Sequence, residues 1–502
     1  MPVVLSSVFQ CGISQSPDFP SQLLSLLASL RGPYSLVFVQ PARGRVWFVR
    51  DPLGRRSLLL SLSDHDLVVS SVAASPLALD GSGPPRDRLY IDIPAGSLFC
   101  LTVPLSPTAP SCAQTDLKSL RLGATYLRQP GPGWVEFQQQ CLAAGLQLSE
   151  DNYCDCTGKE DKCFDYLFHL LPHIPDLYHI TDSNIDLKSA DQINDLFSSL
   201  SQQLASYIDC FTEALKKSIT ARVDAETDRV WKESELATSS QIAVLFSGGV
   251  DSLLLAALLH ECTPLHYSID LLNVAFTLNT SADASTAPDR TTGLSGFEQL
   301  CDLCPRPWRL VQIDPSALDV QRQFQQRITL LLRPNTKNII DNSLGIGLWF
   351  AARGVGEWEG RPYTSRARIL LAGTGADELL GGYARHRTRY KCGGWSGLQQ
   401  ELEMELIRMA ARNLGRDDRI AADHGKELRL PFLDENFVRK INQFPLNAKV
   451  NLDLEKGIGE KLLLRLALWK KGFTNGCSLQ KRAFQFGSNI AKLLKDSNVN
   501  LC

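Results

Sequence analysis

A short apolar run followed by a glycine-rich turn limits what this chain can fold into. Residues 242–246 read Ile-Ala-Val-Leu-Phe, which is typical of a buried strand, and Ser247, Gly248 and Gly249 then turn the chain. From Leu253 onward a run of apolar residues begins a helix. Because a glycine turn at a helix N-terminus presents free backbone N–H groups, this segment predicts an anion site within an α/β fold.

An acid inside this turn refines the prediction. The carboxylate of Asp251 would repel a phosphate unless a cation lay between them, and Mg²⁺ is the ion we expect. The pattern S-G-G-x-D-S resembles the pyrophosphate-binding loop of ATP pyrophosphatases, which activate a carboxyl or carbonyl oxygen as an adenylate. It differs from the G-x-x-x-x-G-K-S/T loop of enzymes that transfer the γ-phosphate. Taken alone, the segment also fits an ordinary strand-turn-helix connection.

Composition and charge narrow the class of protein. The chain has 502 residues, a net charge of −2 and 44% hydrophobic residues, which suits two or three globular domains. Its charge gives no reason to expect nucleic acid or an anionic membrane as a partner. No apolar run approaches the about 18 residues of a membrane span, and residues 1–5 lack the charges of a signal peptide. We therefore expect a cytoplasmic protein, whose oligomeric state no pattern reveals.

Cysteine spacing does not complete a metal site. Cys154, Cys156 and Cys163 lie close together in sequence, and Cys301 and Cys304 have C-x-x-C spacing. Structural zinc takes four ligands, and neither group has a second pair at a usual interval. We therefore expect both groups to be ordinary reduced thiols.

Three regions can be separated along the chain. Residues 1–105 contain two predicted β-hairpins, within 34–50 and 57–71, and form a small β-rich domain. Residues 106–185 are irregular and are assigned to a linker or insertion, partly disordered. From 186 to 502, short apolar strands alternate with long helices, which predicts a parallel sheet covered on both faces.

The predicted elements of the third region place two turns at one sheet edge. Its candidate strands are 242–246, 271–276, 308–313 and 368–372. Its candidate helices are 190–220, 253–262, 315–331, 342–353, 397–413 and 458–470. Ligands of such sheets bind at the carboxyl ends of the strands, where the turns 247–252 and 373–378 both fall.

The second turn carries a second acid. After strand 368–372 the chain reads Gly-Thr-Gly-Ala-Asp-Glu, with Asp377 and Glu378 at the start of a helix. Two turns at one edge, each presenting an aspartate, could hold one Mg²⁺ on a pyrophosphate from both sides. The alternative for Asp377 and Glu378 is ordinary capping of the helix N-terminus. Further on, Lys461 and Arg465 have the spacing of one helix face, where each alone would be a solvated charge.

Five ordered motifs carry a family resemblance. S-G-G-V-D-S, G-T-G-A-D-E-L-L-G-G-Y, E-L-R-L-P-F-L-D, E-K-L-L-L-R-L-A and Q-K-R-A-F-Q-F-G lie across about residues 200–490. In order and spacing this region resembles the synthetase domain of class B, glutamine-dependent asparagine synthetases, closest to a divergent eukaryotic branch. The resemblance implies an ATP-pyrophosphatase fold, related to the adenine nucleotide alpha-hydrolases, and an ATP-dependent ligase of asparagine biosynthesis. Aspartate would be adenylated, and ammonia would convert β-aspartyl-AMP to asparagine, AMP and pyrophosphate.

The resemblance also implies roles for individual residues. Nucleotide and pyrophosphate would be bound by residues of the two turns, namely Ser247, Gly248, Gly249, Asp251, Ser252 and Gly373. Asp251 and Asp377 would hold Mg²⁺. Leu245 and Phe276 would line the adenine pocket, and Lys481 would stabilise the transition state of adenylation. Glu427 and Arg429 match positions that we expect to form a buried, architectural ion pair.

The second turn departs from the family pattern. The family usually reads S-G-E/D-G-x-D-E, and Thr374 here replaces the acid that assists amide formation. Threonine can form hydrogen bonds but cannot accept a proton near neutral pH. Because a missing general base typically costs about 10²–10⁴-fold in rate, we expect nucleotide binding to be kept and asparagine formation to be impaired.

The amino-terminal region departs further. Residues 46–58 resemble the end segment of an N-terminal-nucleophile glutaminase domain, so residues 1–105 would be a truncated, partial Ntn-hydrolase-like β-rich domain. That class needs a cysteine as its first mature residue, but Met1 is followed by Pro2. Cys11 precedes Gly-Ile as in the family, although a plain cysteine is the simpler interpretation. If the chain is active, its substrates would be aspartate and free ammonia rather than glutamine.

Two alternatives to an aspartate ligase stay open. The chain could be an impaired ATP-binding pseudoenzyme with a scaffold or regulatory role. It could also keep adenylation and use a different acceptor. Thr374 favours the first alternative, whereas Asp251, Asp377 and Lys481 favour an enzyme.

Overall fold

The computed structural model describes most of the chain. The described residues are 19–62, 67–73, 89–102, 121–126, 133–143, 147–148, 167–175, 177–179, 189–227, 240–277, 286–334 and 339–496. The chain forms two compact units. Unit 1 comprises Met1–Phe168 and Ile407–Arg419, and unit 2 comprises His169–Leu406 and Ile420–Cys502.

Unit 1 contains two sheets. Its strands are β1 Ser35–Gln40, β2 Arg45–Arg50, β3 Leu59–Leu62, β4 Leu67–Ser70, β5 Leu89–Asp92, β6 Ser97–Thr102, β7 Arg121–Tyr126 and β8 Gln147–Leu148. One sheet has the order β1-β2-β6-β7-β8 and the other the order β4-β3-β5. Both predicted hairpins are confirmed, because β1 pairs antiparallel with β2 and β3 pairs antiparallel with β4.

A core of aromatic and aliphatic side chains joins these two sheets to a helix. The described helices of the amino-terminal part are α1 Phe19–Ser29 and α2 Gly133–Ala143. Phe48 and Phe99 stack with ring centroids 5.4 Å apart, and they share one buried cluster with Leu60 of the smaller sheet and Phe137 of α2. The stretch that the sequence assigns to a linker thus supplies β7, β8 and α2 to unit 1.

A buried arginine closes the loop after β2. Arg50 donates hydrogen bonds to the carbonyl oxygens of Arg56 at 2.7 Å, Ile93 at 2.7 Å and Gly54 at 2.6 Å. Its side chain is fully buried, so these carbonyls replace the water that the guanidinium loses. The loop is therefore fixed by a charge whose hydrogen bonds go to the backbone.

A segment from much later in the chain belongs to this unit. Asp418 accepts hydrogen bonds from the guanidinium of Arg56 at 3.0 Å and from the backbone N–H of Ser57 at 2.9 Å. Arg419 donates to the hydroxyl of Ser57 at 2.8 Å and to the carboxylate of Asp92 at 3.1 Å. Residues 413–419, which read Asn-Leu-Gly-Arg-Asp-Asp-Arg, therefore contribute to the structure of unit 1 through Asp418 and Arg419.

The sheet of unit 2 has seven strands. They are β9 Ile242–Leu245, β10 Ile269–Val274, β11 Trp308–Ile313, β12 Val355–Trp358, β13 Arg361–Thr364, β14 Ile369–Leu371 and β15 Glu427–Arg429. Their order is β13-β12-β11-β10-β9-β14-β15. Five neighbouring strands run parallel, in the order β11, β10, β9, β14 and β15. Strands β12 and β13 form an antiparallel hairpin at the edge next to β11. A mixed α/β fold with a parallel sheet is confirmed.

Helices precede, connect and follow these strands along the chain. The helices between residues 190 and 353 are α3 Ala190–Gln203, α4 Ala205–Thr227, α5 Val250–Cys262, α6 Pro288–Leu303, α7 Ala317–Gln323, α8 Thr329–Leu332 and α9 Ile339–Arg353. The later ones are α10 Ala376–Leu380, α11 Ala384–Arg412, α12 Leu414–Ala422, α13 Glu435–Asn442, α14 Leu446–Lys449, α15 Leu462–Lys470, α16 Phe484–Gly487 and α17 Ile490–Asp496. Every residue of β10 is buried, as expected for a strand covered on both faces. No helix in the described ranges is long and apolar enough to cross a membrane.

The four predicted strands are confirmed within a few residues, and several helices differ. The predicted helix 190–220 is two helices, α3 and α4, and the predicted helix 458–470 begins only at Leu462. The sequence interpretation omitted α6, β15 and the β12–β13 hairpin. Helix α6 begins with Pro-Asp-Arg-Thr-Thr-Gly. Because this segment has weak apolar periodicity, the sequence pattern does not predict a helix there.

Candidate functional site

The first glycine turn joins β9 to α5. Gly248 has a φ of 72°, and a Cβ at this position would collide with the carbonyl oxygen of Thr292. The hydroxyl of Thr292 donates to the carbonyl oxygen of Ser247 at 2.7 Å, which holds α6 against the turn. Only glycine satisfies both the backbone angle and this close approach.

The residues after this turn start the helix. Gly249 is the N-cap of α5, and Asp251 and Ser252 lie in its first turn. The hydroxyl of Ser252 donates to the carbonyl oxygen of Gly249 at 3.0 Å, and Ser247 Oγ accepts from the Gly249 N–H at 3.3 Å. The positive end of the helix dipole therefore faces the space in front of the turn.

The second turn lies beside the first. Strand β14 pairs parallel with β9, so the carboxyl ends of both strands meet at the same sheet edge, as the sequence predicts. A Cβ at Gly373 would lie 2.8 Å from the Cβ of Asp251, so this glycine permits the two turns to touch. Gly375, with a φ of 103°, then leads into α10, which carries Asp377.

Two lysines join the two aspartates. The ammonium of Lys461 lies 2.6 Å from Asp251 Oδ2 and 2.7 Å from Asp377 Oδ1. The ammonium of Lys481 lies 2.7 Å from Asp377 Oδ2. A Cβ at Gly382 would collide with the stem of Lys461, so a glycine is needed where this lysine passes. Acids and bases from four separate segments thus meet at the edge of the sheet.

The sequence interpretation of Lys461 and Arg465 is wrong in two respects. Lys461 is not on a helix face, because α15 begins at Leu462 and Lys461 has a left-handed φ of 55°. Neither residue is a solvated charge, since Lys461 is 1% exposed and Arg465 is 0% exposed. The apolar run Leu462–Leu464 and Leu466–Leu468 around them is the sequence signal that indicates burial.

Charge and burial set the protonation of these groups. Burial alone would raise the pKa of Asp377, but Lys461 and Lys481 outweigh it and hold that pKa well below its usual range. Burial opposes the charge of Lys481, yet Asp377 and Asp251 raise its pKa above the usual lysine value. The aspartate is therefore ionised and Lys481 is protonated at neutral pH.

The neighbouring acid Glu378 has a different environment. It is buried, and the Tyr383 hydroxyl donates to its Oε1 at 2.6 Å. Burial, and then the charge of Asp377, raises the pKa of Glu378 to about 7. Since the carboxylates of Asp377 and Glu378 contact lysines and a tyrosine, helix capping is not their role in this structure.

The predicted adenine-pocket residues lie on adjacent strands. Leu245 is half-buried at the end of β9 and is opposite Leu272 of β10. Phe276 follows β10 and is 1% exposed, and its backbone N–H donates to the carbonyl oxygen of Ser488 at 2.8 Å. Its ring packs edge-on against Phe350, with centroids 6.1 Å apart. The assignment of both residues to an adenine pocket stays a prediction.

A further acid, Asp289, was missed by sequence reasoning. It lies in the first turn of α6 and is 7% exposed, with Gly487 packed directly against its carboxylate. Burial raises the pKa of Asp289 to about 7, although Lys481 and Arg482 act to lower it. Its position in an unpredicted helix explains why no pattern pointed to it.

The two aspartates fit a magnesium ion in their donor chemistry. Asp251 Oδ1 is buried and has no hydrogen-bond partner in the described part of the chain. Within that part, no group of three or more His, Cys, Asp or Glu side chains could hold a metal. Mg²⁺ is commonly held by one or two carboxylates together with substrate phosphates and water, so two aspartates would be enough, and the assignment of Asp251 and Asp377 to the ion stays a prediction.

The cysteine predictions fall partly outside the described residues. Cys11, Cys154, Cys156 and Cys163 are among the residues that the structure does not describe. Cys301 and Cys304 are free thiols, and burial raises the pKa of Cys304 to about 11. Such a thiol is protonated and unreactive at neutral pH, and the expectation of ordinary thiols for both groups stays a prediction.

Comparison with known proteins supplies the family. The family model described as asparagine synthase matches residues 388–468. Asparagine synthetase domain-containing protein 1 of Homo sapiens is 34% identical, over 95% of this chain and 79% of that protein. The chain belongs to the asparagine synthetase domain-containing protein family. A relative in Drosophila melanogaster is 31% identical over 93% of this chain and 79% of its own length.

Similarity to an asparagine synthetase itself is weaker. The glutamine-hydrolyzing asparagine synthetase of Gallus gallus is 26% identical over 49% of this chain and 41% of its own length. The names of the asparagine synthetase domain-containing proteins state a domain and not an activity. Family membership therefore does not by itself assign an activity to this chain.

Three further residues singled out in the sequence have a defined place in the structure. Thr374 lies half-buried in the second turn, between Gly373 and Gly375. Glu427 and Arg429 form the predicted ion pair at 2.6 Å, but the side chain of Glu427 is 36% exposed, so the pair is not buried as expected. Its place on the short edge strand β15 explains this exposure, because only β14 flanks that strand.

Proposed function

We propose that this chain is an ATP-dependent ligase that adenylates the side-chain carboxylate of aspartate. Unit 2 would be its ATP-pyrophosphatase-type synthetase domain. A carboxylate oxygen of aspartate attacks the α-phosphorus of ATP, the bond from that phosphorus to the bridging oxygen breaks, and pyrophosphate leaves. Ammonia then attacks the acyl carbon of β-aspartyl-AMP, AMP leaves with the bonding electrons, and the added nitrogen loses a proton.

One observation carries this proposal. Lys461 and Lys481 both contact Asp377, at the carboxyl edge of a parallel sheet and beside a glycine turn that starts a helix. A leaving pyrophosphate gains negative charge, and preorganised ammonium groups and backbone N–H groups stabilise that charge without reorganising. An arrangement of this kind suits departure of pyrophosphate from the α-phosphorus.

The parts of the site would divide the work. The N–H groups of the turn 247–252 would bind the pyrophosphate oxygens, and Gly373 would let the second turn lie close to Asp251 beside them. Leu245 and Phe276 would flank adenine. Asp251 and Asp377 would hold Mg²⁺, which neutralises phosphate charge when it is bound.

Free ammonia is the nitrogen donor that we propose. Unit 1 would be a partial Ntn-hydrolase-like domain, and its two mainly antiparallel sheets with one packed helix support that interpretation. Glutamine could serve instead only with the nucleophilic cysteine that a glutaminase of that class requires.

A second candidate function is an ATP-binding protein without ligase activity. Thr374 favours it, because threonine cannot accept the proton that the attacking nitrogen must lose. In this case nucleotide binding persists, and amide formation is absent.

ATP–pyrophosphate exchange tests the proposal. The purified chain is incubated with Mg²⁺, ATP and labelled pyrophosphate, with and without aspartate, and glutamate serves as a matched control acid. We expect aspartate-dependent exchange at least tenfold above the glutamate background. ATP binding without exchange would select the pseudoenzyme, and exchange with another acid alone would indicate a changed acceptor. A folded chain that binds no Mg-ATP would contradict both functions.

A further inference from the structure

The two lysines of the site come from different segments that have to be held together. Lys461 immediately precedes α15, and Lys481 lies in the loop between α15 and α16. Both ammonium groups reach the same carboxylate, Asp377, at 2.7 Å. Long flexible side chains lose considerable conformational entropy when their charges are fixed, so a shared geometry needs support from the backbone.

Arg465 supplies that support through three backbone carbonyls. Its Nε donates to the carbonyl oxygen of Glu460 at 2.6 Å, and its Nη1 donates to those of Cys477 at 2.7 Å and Leu479 at 2.9 Å. Glu460 directly precedes Lys461, whereas Leu479 lies two residues before Lys481. One planar guanidinium therefore spans the two segments that carry the lysines.

A second arginine fixes the first of these segments. The guanidinium of Arg387 on α11 binds Glu460, with Nε 3.0 Å from Glu460 Oε1, and it also donates to the carbonyl oxygen of Leu454 at 2.8 Å. Glu460 Oε2 accepts from the Gly457 N–H at 3.0 Å. The backbone around Glu460 is thus held on both sides before Arg465 connects it to the second segment.

The backbone of Lys461 shows the effect of this connection. Lys461 adopts a φ of 55°, which is strained for a residue with a side chain. Its N–H donates to the carbonyl oxygen of Leu380 at 3.0 Å, and its carbonyl oxygen accepts from the Arg465 N–H at 3.0 Å. Strain of this kind persists only where surrounding contacts enforce it, and here it directs the ammonium to Asp251 and Asp377.

We infer that Arg465 is a positioning residue, which holds Lys461 and Lys481 at a fixed spacing so that both face the leaving pyrophosphate. The side chain of Arg465 is 0% exposed, and it acts through backbone carbonyls rather than by contact with a substrate. This inference rests on the proposed adenylation. It assigns the planar fork of the guanidinium, and not its charge alone, as the essential property.

Arg465→Lys tests the fork, because lysine keeps the charge but cannot reach Glu460 and Leu479 together. Arg306→Lys is the matched control, since Arg306 also donates to backbone carbonyls, those of Pro264 at 2.8 Å and Tyr267 at 2.8 Å. We expect Arg465→Lys to lower the kcat of exchange about 10²-fold, as for loss of one preorganised donor, with the KM for ATP changed less than threefold. Arg306→Lys should lower the thermal midpoint similarly and leave kcat within twofold.

Two further readouts separate this inference from the proposed function. Affinity for Mg-pyrophosphate, measured by calorimetry, should fall at least tenfold in Arg465→Lys and stay unchanged in Arg306→Lys, even if the wild type catalyses no exchange. A crystal structure of Arg465→Lys should show Lys481 displaced from Asp377. If both lysines keep their contacts with Asp377 there, the positioning role is wrong whatever the activity of the wild type. If the wild type catalyses exchange, an equal fall of kcat in the two variants also contradicts the positioning role.

Discussion

Buried charge has opposite uses at two places in the molecule, the loop around Arg50 in unit 1 and the two glycine turns in unit 2. In unit 1, Arg50 donates to three backbone carbonyls, and Asp51 accepts from the backbone N–H groups of Leu53 at 3.2 Å and Arg55 at 2.9 Å. In unit 2, charged side chains from separate segments face one another, and Asp251 Oδ1 has no partner in the described ranges. Satisfied charges fix a fold, whereas opposed charges with a spare acceptor are suited to bind a ligand.

The largest expected effect is in unit 2, at Lys481. Lys481→Met removes one of the two ammonium groups on Asp377, and we expect aspartate-dependent exchange to fall by about 10³-fold because one preorganised charge is lost. Lys470→Met is the control, since Lys470 pairs with Asp209 through side chains that are 48% and 65% exposed. Initial rates of exchange measure both effects. An equal loss of exchange rate in the two variants would show that the lysine at the site has no special role.

The corresponding change in unit 1 should affect stability and not chemistry. Arg50→Met leaves three buried carbonyl oxygens without their donor, and we expect the free energy of unfolding to fall by about 3 kcal/mol. Arg31 is exposed and provides the control, because Arg31→Met should change the free energy of unfolding by less than about 0.5 kcal/mol. Urea unfolding measures both values. A loss of exchange in folded Arg50→Met would contradict the assignment of Arg50 to the fold alone.

Position 374 sharpens the comparison within unit 2. Thr374→Glu returns a proton acceptor to the second turn, and we expect ammonia-dependent asparagine formation to rise by about 10²-fold. Thr374→Gln has the same size and cannot accept the proton, so it should give no increase. Chromatographic assay of asparagine distinguishes the variants, and equal product from both would show that missing base chemistry is not what limits the chain.

The smallest expected effect is a pH dependence at Asp289. Burial raises the pKa of Asp289 to about 7 in the folded chain. Between about pH 4 and pH 7 the folded chain therefore keeps a proton on Asp289 that the unfolded chain has released. This contribution to stability is complete below about pH 4 and is lost as the pH rises through about 7. We expect wild-type stability to fall by about 2 kcal/mol more than that of Asp289→Asn between about pH 5 and pH 8.

Chemical unfolding at each pH measures this difference. Glu298→Gln, which changes an exposed acid of the same helix, should follow the wild type. Parallel pH profiles for wild type and Asp289→Asn would show that Asp289 does not hold a proton in the folded chain.

Local patterns predicted the turns of the site but not its lysines. The strand-turn-helix segments around Gly248 and Gly373 are contiguous, so their apolar runs and glycines identify them. The left-handed backbone of Lys461 and the burial of Arg465 depend on contacts with α11 and with residues 477–479. Such contacts between distant segments leave no periodic signal in one sequence.

The division into units shows the same limit. Hairpins of unit 1 were predictable because strand alternation and the intervening turn are local. The segment Ile407–Arg419, by contrast, belongs to unit 1 although it lies inside a predicted helical region of the later chain. Asp418 and Arg419 form their ion pairs with residues more than three hundred positions away, a partnership that spacing cannot reveal.

Product analysis by phosphorus NMR tests the central claim most directly. The wild-type chain is incubated with Mg-ATP, aspartate and ammonia, and the phosphorus products are identified and quantified against asparagine. If the opposed charges of unit 2 form an adenylation site, AMP and pyrophosphate should appear in equal amounts and require aspartate. Formation of ADP and phosphate would contradict the account, because it would place the reaction at the γ-phosphorus.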